Sequence, residues 1–487
     1  VRRPDRPHPQ RKELTMNRLL KHVAAFGLSL IALCAASSLP AAAHGDLPHV
    51  PGKPYAPTGL PDRIVLTPGA DPSREMAVAF RTDARQPIGQ AELAPAGGGP
   101  NLSARATLLS GVTAGLDTEY GPAKFHQIRF TGLTPDTAYV YRVKGAEGWS
   151  EWFQFRTASA GFKPFRFLYF GDLQNGILSV GSRTIRQGLL ATGAPALVVH
   201  AGDLVDQREV MVHDDEWGEW TDAGGFAYGM LPQIVAAGNH EYVDAVGPDG
   251  QETRVLSPHW PLQFALPANG AAAVPRTSYR VDYQGVRFIV LDGTAALDLG
   301  ALDSQTEWLK AQLTGNTALW TIVVMHQPIY TCARPDDTEL LKTAWKPVFE
   351  LGRVDLVLQG HDHCYSRLSN PDGREAAARA HANGEPQGPV YVVSVAGQKM
   401  YGLNDRALIQ TDIAGEDSQL YQVIEIEETR LGFQAVTADG ELYDAFSLVR
   451  GRDGRSRLVE SGLARQPERV CRDGKGPDGT PCTARGK

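Results

Sequence analysis

Cysteine is scarce in this chain, long apolar runs are scarcer, and no excess of positive charge offsets its acids. The five cysteines among 487 residues rule out a dense disulfide framework. The one extended apolar stretch, Val23 to Leu39, is too short and too rich in alanine and serine for a membrane anchor. Met16-Asn17-Arg18-Leu19-Leu20-Lys21 precedes it and Ala41-Ala42-Ala43 follows, the form of a secretory signal peptide cleaved before His44. Cys34 follows bulky Leu33 where a lipoprotein needs a small residue, so no lipid anchor is expected. The formal net charge is −7. Removing residues 1–43 takes away seven basic and two acidic groups, leaving 41 against 53 and a net charge of −12. A body that acidic argues against nucleic acid as partner, because phosphate backbones select basic faces. No internal repeat is visible.

What remains is ordinary globular material, 42% hydrophobic and 21% charged, with ample core for more than one domain. Residues 1–15 read as an upstream, non-native start and 16–43 as the signal peptide. The mature protein is expected in the periplasm or outside the cell, with no membrane association after cleavage; the sequence leaves its oligomeric state open. Four cysteines then persist, Cys332, Cys364, Cys471 and Cys482, an even number suited to an oxidising compartment. Cys471 and Cys482 bracket a turn-rich loop that a disulfide would close.

Residues 44–159 read as all-β. Arg63-Ile64-Val65-Leu66-Thr67, Met76 to Phe80, Gln127 to Phe130 and Ala138 to Val143 are strand candidates. Gly132-Leu133-Thr134-Pro135-Asp136-Thr137-Ala138-Tyr139 looks like the tyrosine corner of a fibronectin type III sandwich. His126 reads as a surface strand residue. Over residues 160–450 strands alternate with helical stretches such as Ser304 to Leu313 and Thr338 to Leu351, the pattern of an α/β domain. Residues 451–487 read as a loosely attached, charged tail.

Chemistry concentrates in five polar clusters, each closing an apolar run. They are Gly171-Asp172-Leu173-Gln174, Gly202-Asp203-Leu204-Val205-Asp206, Gly238-Asn239-His240-Glu241, Val323-Val324-Met325-His326 and Gly360-His361-Asp362-His363. Apolar runs ending in glycine and a polar group suit buried strands feeding loops, and ligands collect beyond the carboxyl ends of such strands. Carboxylate, amide and imidazole donors with no obligatory thiolate suit one or two divalent or trivalent metals.

The order and spacing of these clusters resemble the metallophosphoesterase superfamily, the calcineurin-like phosphoesterases. Four blocks match that pattern as they stand and the first matches in part. The sandwich ahead of them resembles the layout of purple acid phosphatases. The resemblance implies two central mixed sheets flanked by helices. It also implies two metal ions, iron, zinc or manganese, roughly 3.5–4 Å apart and sharing a carboxylate. One ion would take Asp172, Asp203 and His363, with Gln174 as a further candidate ligand; the other would take Asp203, Asn239, His326 and His361. His240 is implied as the catalytic proton donor, facing a small phosphorylated substrate together with Asn239. Hydrolysis of phosphate monoesters by metal-bound hydroxide is the implied reaction. The alternatives are a phosphodiesterase of the same fold or a surface-binding protein with a vestigial site.

Two positions depart from the pattern. Gln174 stands where many family members have histidine, and could ligate or only orient water. Asp206 stands where purple acid phosphatases have a tyrosinate ligand, which removes their chromophore. Given the resemblance, Cys332 and Cys364 lie near enough to the paired histidines to bridge one another; metal ligation by Cys364 is the alternative. His200 reads as a packed strand-end residue and Glu241 as a brace for its loop. Tyr365 and Arg367 read either as cleft residues or as a structural pair. His213 and His259 fall in insertions that could line an entrance, and Trp217, Trp220 and Trp260 read as core.

Overall fold

The computed structural model describes residues 55–206, 208, 211, 213–247, 250–471 and 474–479. The expected upstream start, the signal peptide and Cys482 lie outside the described residues. Among the described residues no helix is long and apolar enough to cross a membrane.

Two four-stranded antiparallel sheets form the N-terminal sandwich. One runs Asp62–Pro68, Met76–Asp83, Gly121–Phe130, Val112–Thr118; the other runs Thr107–Ser110, Gln90–Pro95, Ala138–Val143, Phe153–Arg156. Alternate residues of both sheets, including Leu66, Val78, Ile128, Phe130, Tyr141 and Phe155, interdigitate as its core. The Tyr139 hydroxyl accepts the Thr134 N–H at 3.0 Å, closing the predicted corner. His126 corrects the sequence reading. It is buried, 2.9 Å from the Thr82 hydroxyl and 2.8 Å from that of Thr113. Its strand lies between two others, so a side chain that is polar by type faces protein rather than solvent.

Two seven-stranded mixed sheets make the α/β unit. The first runs Gln233–Val235, Val198–His200, Phe165–Phe170, Leu420–Ile426, Arg430–Thr437, Leu442–Arg450, Ser456–Glu460. The second runs Tyr279–Tyr283, Val286–Val290, Trp320–Val324, Leu356–Gln359, Val390–Val393, Tyr365–Leu368, Ile413–Gly415. Their inner faces share one core, with Phe167 of the first sheet edge-on to Phe288 of the second at 5.4 Å. The helices Leu302–Leu313 and Glu339–Leu351 follow the predicted ones closely. Ser456–Glu460 corrects the expectation of a loose tail. It pairs antiparallel with Leu442–Arg450, and Glu468 further on forms a bidentate pair with Arg374. Short, charged segments such as this pair only because a partner edge is available, which composition does not reveal.

Topology places the chemistry. Phe165–Phe170, Val198–His200 and Gln233–Val235 are parallel neighbours, as are Trp320–Val324 and Leu356–Gln359. The loops after their carboxyl ends carry the five polar clusters. Asp172 bridges to Val395, so the two sheets meet at this end.

Candidate metal centre

Backbone close approach explains the glycines of the clusters. A Cβ on Gly238 would sit 2.2 Å from Asp203 Oδ1, and one on Gly360 would sit 2.3 Å from Asp172 Oδ2. The loops pack directly on the carboxylates they help to hold. Asp203, His361 and His363 take φ values of +51°, +74° and +47°, a left-handed conformation that costs side-chain-bearing residues stability and clusters at functional sites.

Six predicted ligands converge. Asp203, His326 and His361 present ligand atoms within 4.8 Å of one another, as do Asp172, Asp203 and His363, so Asp203 belongs to both groups. His326 Nε2 lies 3.0 Å from Asp203 Oδ2 and 3.2 Å from Asn239 Oδ1, and His361 Nδ1 lies 3.1 Å from His326 Nε2. Backbone carbonyls orient the imidazoles: His326 Nδ1 faces Ala201 O at 2.8 Å, and His363 Nδ1 faces Lys399 O at 2.9 Å. These two rings therefore turn Nε2 inward, as metal-ligating histidines bonded through their other nitrogen do, while His361 presents Nδ1.

The donor set fits cations. Asp172 Oδ1 is buried with no hydrogen-bond partner, 3.5 Å from His363 Nε2 and 3.9 Å from His326 Nε2. An unpaired buried carboxylate oxygen among inward-facing imidazole nitrogens calls for positive charge. Burial disfavours the cation on His326, yet Asp203 and Asp172 outweigh it and push its pKa up to about 9. Burial pushes Asp172 up to about 7 despite His326. Burial likewise opposes charge on Asp203, but His326 and His240 hold it well below the usual carboxylate range. His363 is lowered to about 3 by burial, which leaves it a neutral donor.

Gln174 joins this cluster through its amide. Nε2 donates to Asp203 Oδ2 at 3.0 Å and lies 2.9 Å from His363 Nε2, while Oε1 is buried without a partner. His240 stands at the edge. Its N–H donates to Asp203 Oδ1 at 2.9 Å, its Nδ1 contacts the Asp206 carbonyl, and its Nε2 is 3.9 Å from Asp203 Oδ2. The Asp206 side chain accepts from Asn175 Nδ2 at 2.6 Å and belongs to neither ligand group. Glu241 braces the loops: Oε2 accepts the N–H groups of Asp203 (2.9 Å) and Gly238 (2.6 Å), and Oε1 that of Leu204 (2.7 Å).

Other candidates lie elsewhere. Cys332 and Cys364 form a disulfide, which excludes Cys364 as a metal ligand. Cys471 is also disulfide-bonded. His200 is buried, 3.0 Å from Gln233 Oε1. Tyr365 and Arg367 pair with Asp444 at 2.9 and 3.0 Å and are structural. His213 and His259 line no entrance; both are buried, and His259 Nε2 is 3.1 Å from Asp214 Oδ1. Trp217, Trp220 and Trp260 are fully buried core.

Sequence reasoning missed Arg334, Lys399 and Tyr401. Arg334 Nη1 donates to His361 O at 2.9 Å, and the Tyr401 ring lies 4.7 Å from that of His363. Arg334 sits two residues past Cys332, a signal that was available. Lys399 and Tyr401 follow a strand with no polar cluster to flag them.

Comparison with known proteins agrees with this geometry. Residues 61–157 match the purple acid phosphatase N-terminal domain and residues 165–365 the calcineurin-like phosphoesterase domain. An uncharacterized protein of Mycobacterium tuberculosis is 29% identical over 273 residues, covering 50% of each chain. Purple acid phosphatase 15 of Arabidopsis thaliana is 26% identical, covering 56% of this chain and 53% of its own. The Fe(3+)-Zn(2+) purple acid phosphatase 12 of that plant is 26% identical over 356 residues, 70% of this chain and 72% of its own. The chain thus spans about half the length of the curated relatives it matches first. The same fold occurs in a purple acid phosphatase from yellow lupin (Lupinus luteus) seeds, with TM-score 0.63 and 18% identity over 81% of this chain and 75% of that one. It occurs also in PhoD, with TM-score 0.57 and 13% identity over 86% and 95%. With two linked domain matches in the right order and the motif residues gathered at one end of the paired sheets, the chain belongs to the metallophosphoesterase superfamily, in the domain layout of the purple acid phosphatases.

Proposed function

We propose that this protein is an exported phosphatase that hydrolyses phosphate monoesters of small molecules at a centre of two metal ions. The observation that carries the reading is the pair of ligand groups that share Asp203. Asp172, Asp203 and His363 would hold one ion, with Gln174 beside it; Asp203, Asn239, His326 and His361 would hold the other. When bound, the ions supply Lewis-acid charge and activate water. Asn239 contributes a neutral oxygen, which limits negative charge where a phosphate must approach. Glu241 fixes the Asp203 backbone and the carbonyls of Ala201 and Lys399 fix the rings, so the donor array is organised in advance.

His240 is the group placed to move a proton. Its Nδ1 is engaged by the Asp206 carbonyl, which leaves Nε2 to give a proton to a departing alkoxide. The Cys332–Cys364 disulfide supports an oxidising location beyond the cytoplasm, in keeping with the signal-type segment at 16–43. The test is metal analysis of the purified chain together with turnover of an aryl phosphate monoester and a bis-aryl phosphodiester. Bound metal with monoester turnover in excess of diester turnover is expected. Metal-loaded protein inert toward both esters would overturn the reading, and a preference for the diester would make it a phosphodiesterase.

A further inference from the structure

The loop after His326 approaches the metal centre a second time. A disulfide and several hydrogen bonds hold it there. Cys332 is bonded to Cys364, the residue after His363. Asp362 Oδ2 accepts the N–H groups of Cys332 and Ala333 at 2.6 and 2.9 Å. Arg334 Nη1 then pairs with Asp362 Oδ1 and donates to the His361 carbonyl at 2.9 Å. Asn404 Nδ2 donates to the Arg334 carbonyl at 2.8 Å from the other side. So much fixation for one exposed arginine is unusual, because a surface guanidinium needs none of it to remain solvated.

Only one of the three guanidinium nitrogens is used. Nε and Nη2 have no partner among the described residues, and 37% of the side chain is exposed. Tyr401 continues the same rim. Its N–H donates to His363 O at 3.1 Å, its ring packs on His363, and Arg334 Cζ lies 5.8 Å from the ring centroid. Lys399 Nζ also lies 5.8 Å from that centroid, with no acidic partner among the described residues. The carbonyl of the same lysine orients His363. Two underused cations and an aromatic ring thus border the two imidazoles of the Gly-His-x-His segment. His240 is held by other contacts, to Asp203 and Asp206.

We propose that Arg334, with Lys399 across the Tyr401 ring, is the anion-recognition element of this site and selects dianionic phosphate monoesters over monoanionic diesters. The inference rests on the phosphoesterase reading above. A monoester at neutral pH carries a second negative charge that a diester lacks. A fixed guanidinium edge with two free N–H groups bonds best to that additional unesterified oxygen. Lys399, a mobile point charge, adds long-range attraction without a fixed geometry.

The test uses the metal-loaded full chain. Arg334→Ala is expected to lower kcat/KM for an aryl phosphate monoester about 10-fold or more, chiefly through KM, and that for a bis-aryl diester about 3-fold or less. Metal content should be unchanged. Lys399→Ala, whose ammonium braces nothing buried, should shift the ratio in the same direction by a smaller factor. Calorimetric affinity for inorganic phosphate should fall in both variants. Equal losses on the two esters, or loss of metal in Arg334→Ala, would show a merely bracing arginine and overturn the proposal, as would unchanged phosphate affinity in both variants. Failure of the phosphoesterase reading itself would appear differently, as wild-type protein that binds metal and phosphate but turns over neither ester.

Discussion

At the scale of single residues, Asp203 and His240 are adjacent in space and should fail in different ways. Asp203 belongs to both ligand groups and is held charged against its burial. Asp203→Asn removes that charge while keeping the shape. Bound metal should fall by at least one ion per chain and turnover by about 10³-fold or more, measured by elemental analysis and initial rates on the same sample. Unchanged metal content would remove Asp203 from the shared position. His240 touches Asp203 only through its backbone N–H and a 3.9 Å approach of Nε2. His240→Ala should keep both ions yet slow alkyl phosphates by about 10²-fold or more. An aryl phosphate, whose leaving oxygen needs little protonation, should lose much less. A uniform loss across leaving groups would rule out proton donation by His240.

Among elements, the loops beyond the parallel strands depend on Glu241. Its carboxylate accepts three buried N–H groups, from Asp203, Leu204 and Gly238, and so joins the second and third polar clusters. Burial and neighbouring Asp203 push its pKa up to about 8 against the opposing pull of those N–H groups and of His326. Glu241→Ala leaves three donors unpaired, each worth about 1–3 kcal/mol. Urea unfolding of the variant should show a lower midpoint, and its metal affinity should fall although Glu241 is not a proposed ligand. A variant as stable and as metal-loaded as the parent would mean that water replaces the carboxylate at no cost.

On the scale of the whole molecule, one buried cluster ties the sandwich to the α/β unit. Arg63 and Arg81 of the sandwich both pair with Asp214, which His259 also contacts. Around it, Gln127 Nε2 donates to Pro261 O at 2.7 Å and the Tyr141 hydroxyl to Gly229 O at 2.6 Å. Asp214→Ala strands the buried guanidinium of Arg63 and takes one of two carboxylate partners from Arg81, which keeps Asp62, and should cost about 3–5 kcal/mol at neutral pH, seen as a fall in the unfolding midpoint.

Acid should weaken the same cluster in two steps. Burial lowers His259 to about 4 despite Asp214, below its unfolded value of about 6.5. The unfolded chain therefore binds the extra proton between those values, and stability falls as pH drops from about 6.5 to about 4. Burial opposes charge on Asp214, yet Arg63, His259 and Arg81 hold it well below the usual carboxylate range. Its contribution is complete above the unfolded carboxylate pKa of about 3.9 and is lost only below it. Unfolding midpoints taken across pH should show a shallower decline between 6.5 and 4 in His259→Gln. An identical slope in that variant would place the acid sensitivity elsewhere.

The sequence alone determined which polar residues stand at the ends of the apolar runs. Asp172, Asp203, Asn239, His326, His361 and His363 lie where five apolar runs close, and a buried strand must end where polar groups begin, so local pattern placed these six candidate ligands at five strand ends. The glycines beside them were legible for the same reason, since the backbone there has no room for a side chain. The tyrosine corner was equally local, a contact between residues five apart. Only the tertiary structure decided what depends on distant partners. It buried His126 between neighbouring strands, added Ser456–Glu460 to a sheet, and turned His259 from a supposed entrance toward Arg63, Arg81 and Asp214. It also brought Lys399 and Tyr401 beside Arg334, residues more than 60 positions apart with no shared motif. Periodicity and capping act within a few residues and can be read in order along a chain. Burial, ion pairing and the border of a site depend on which segments meet, and that is settled by strand order and by how the two sheets pack.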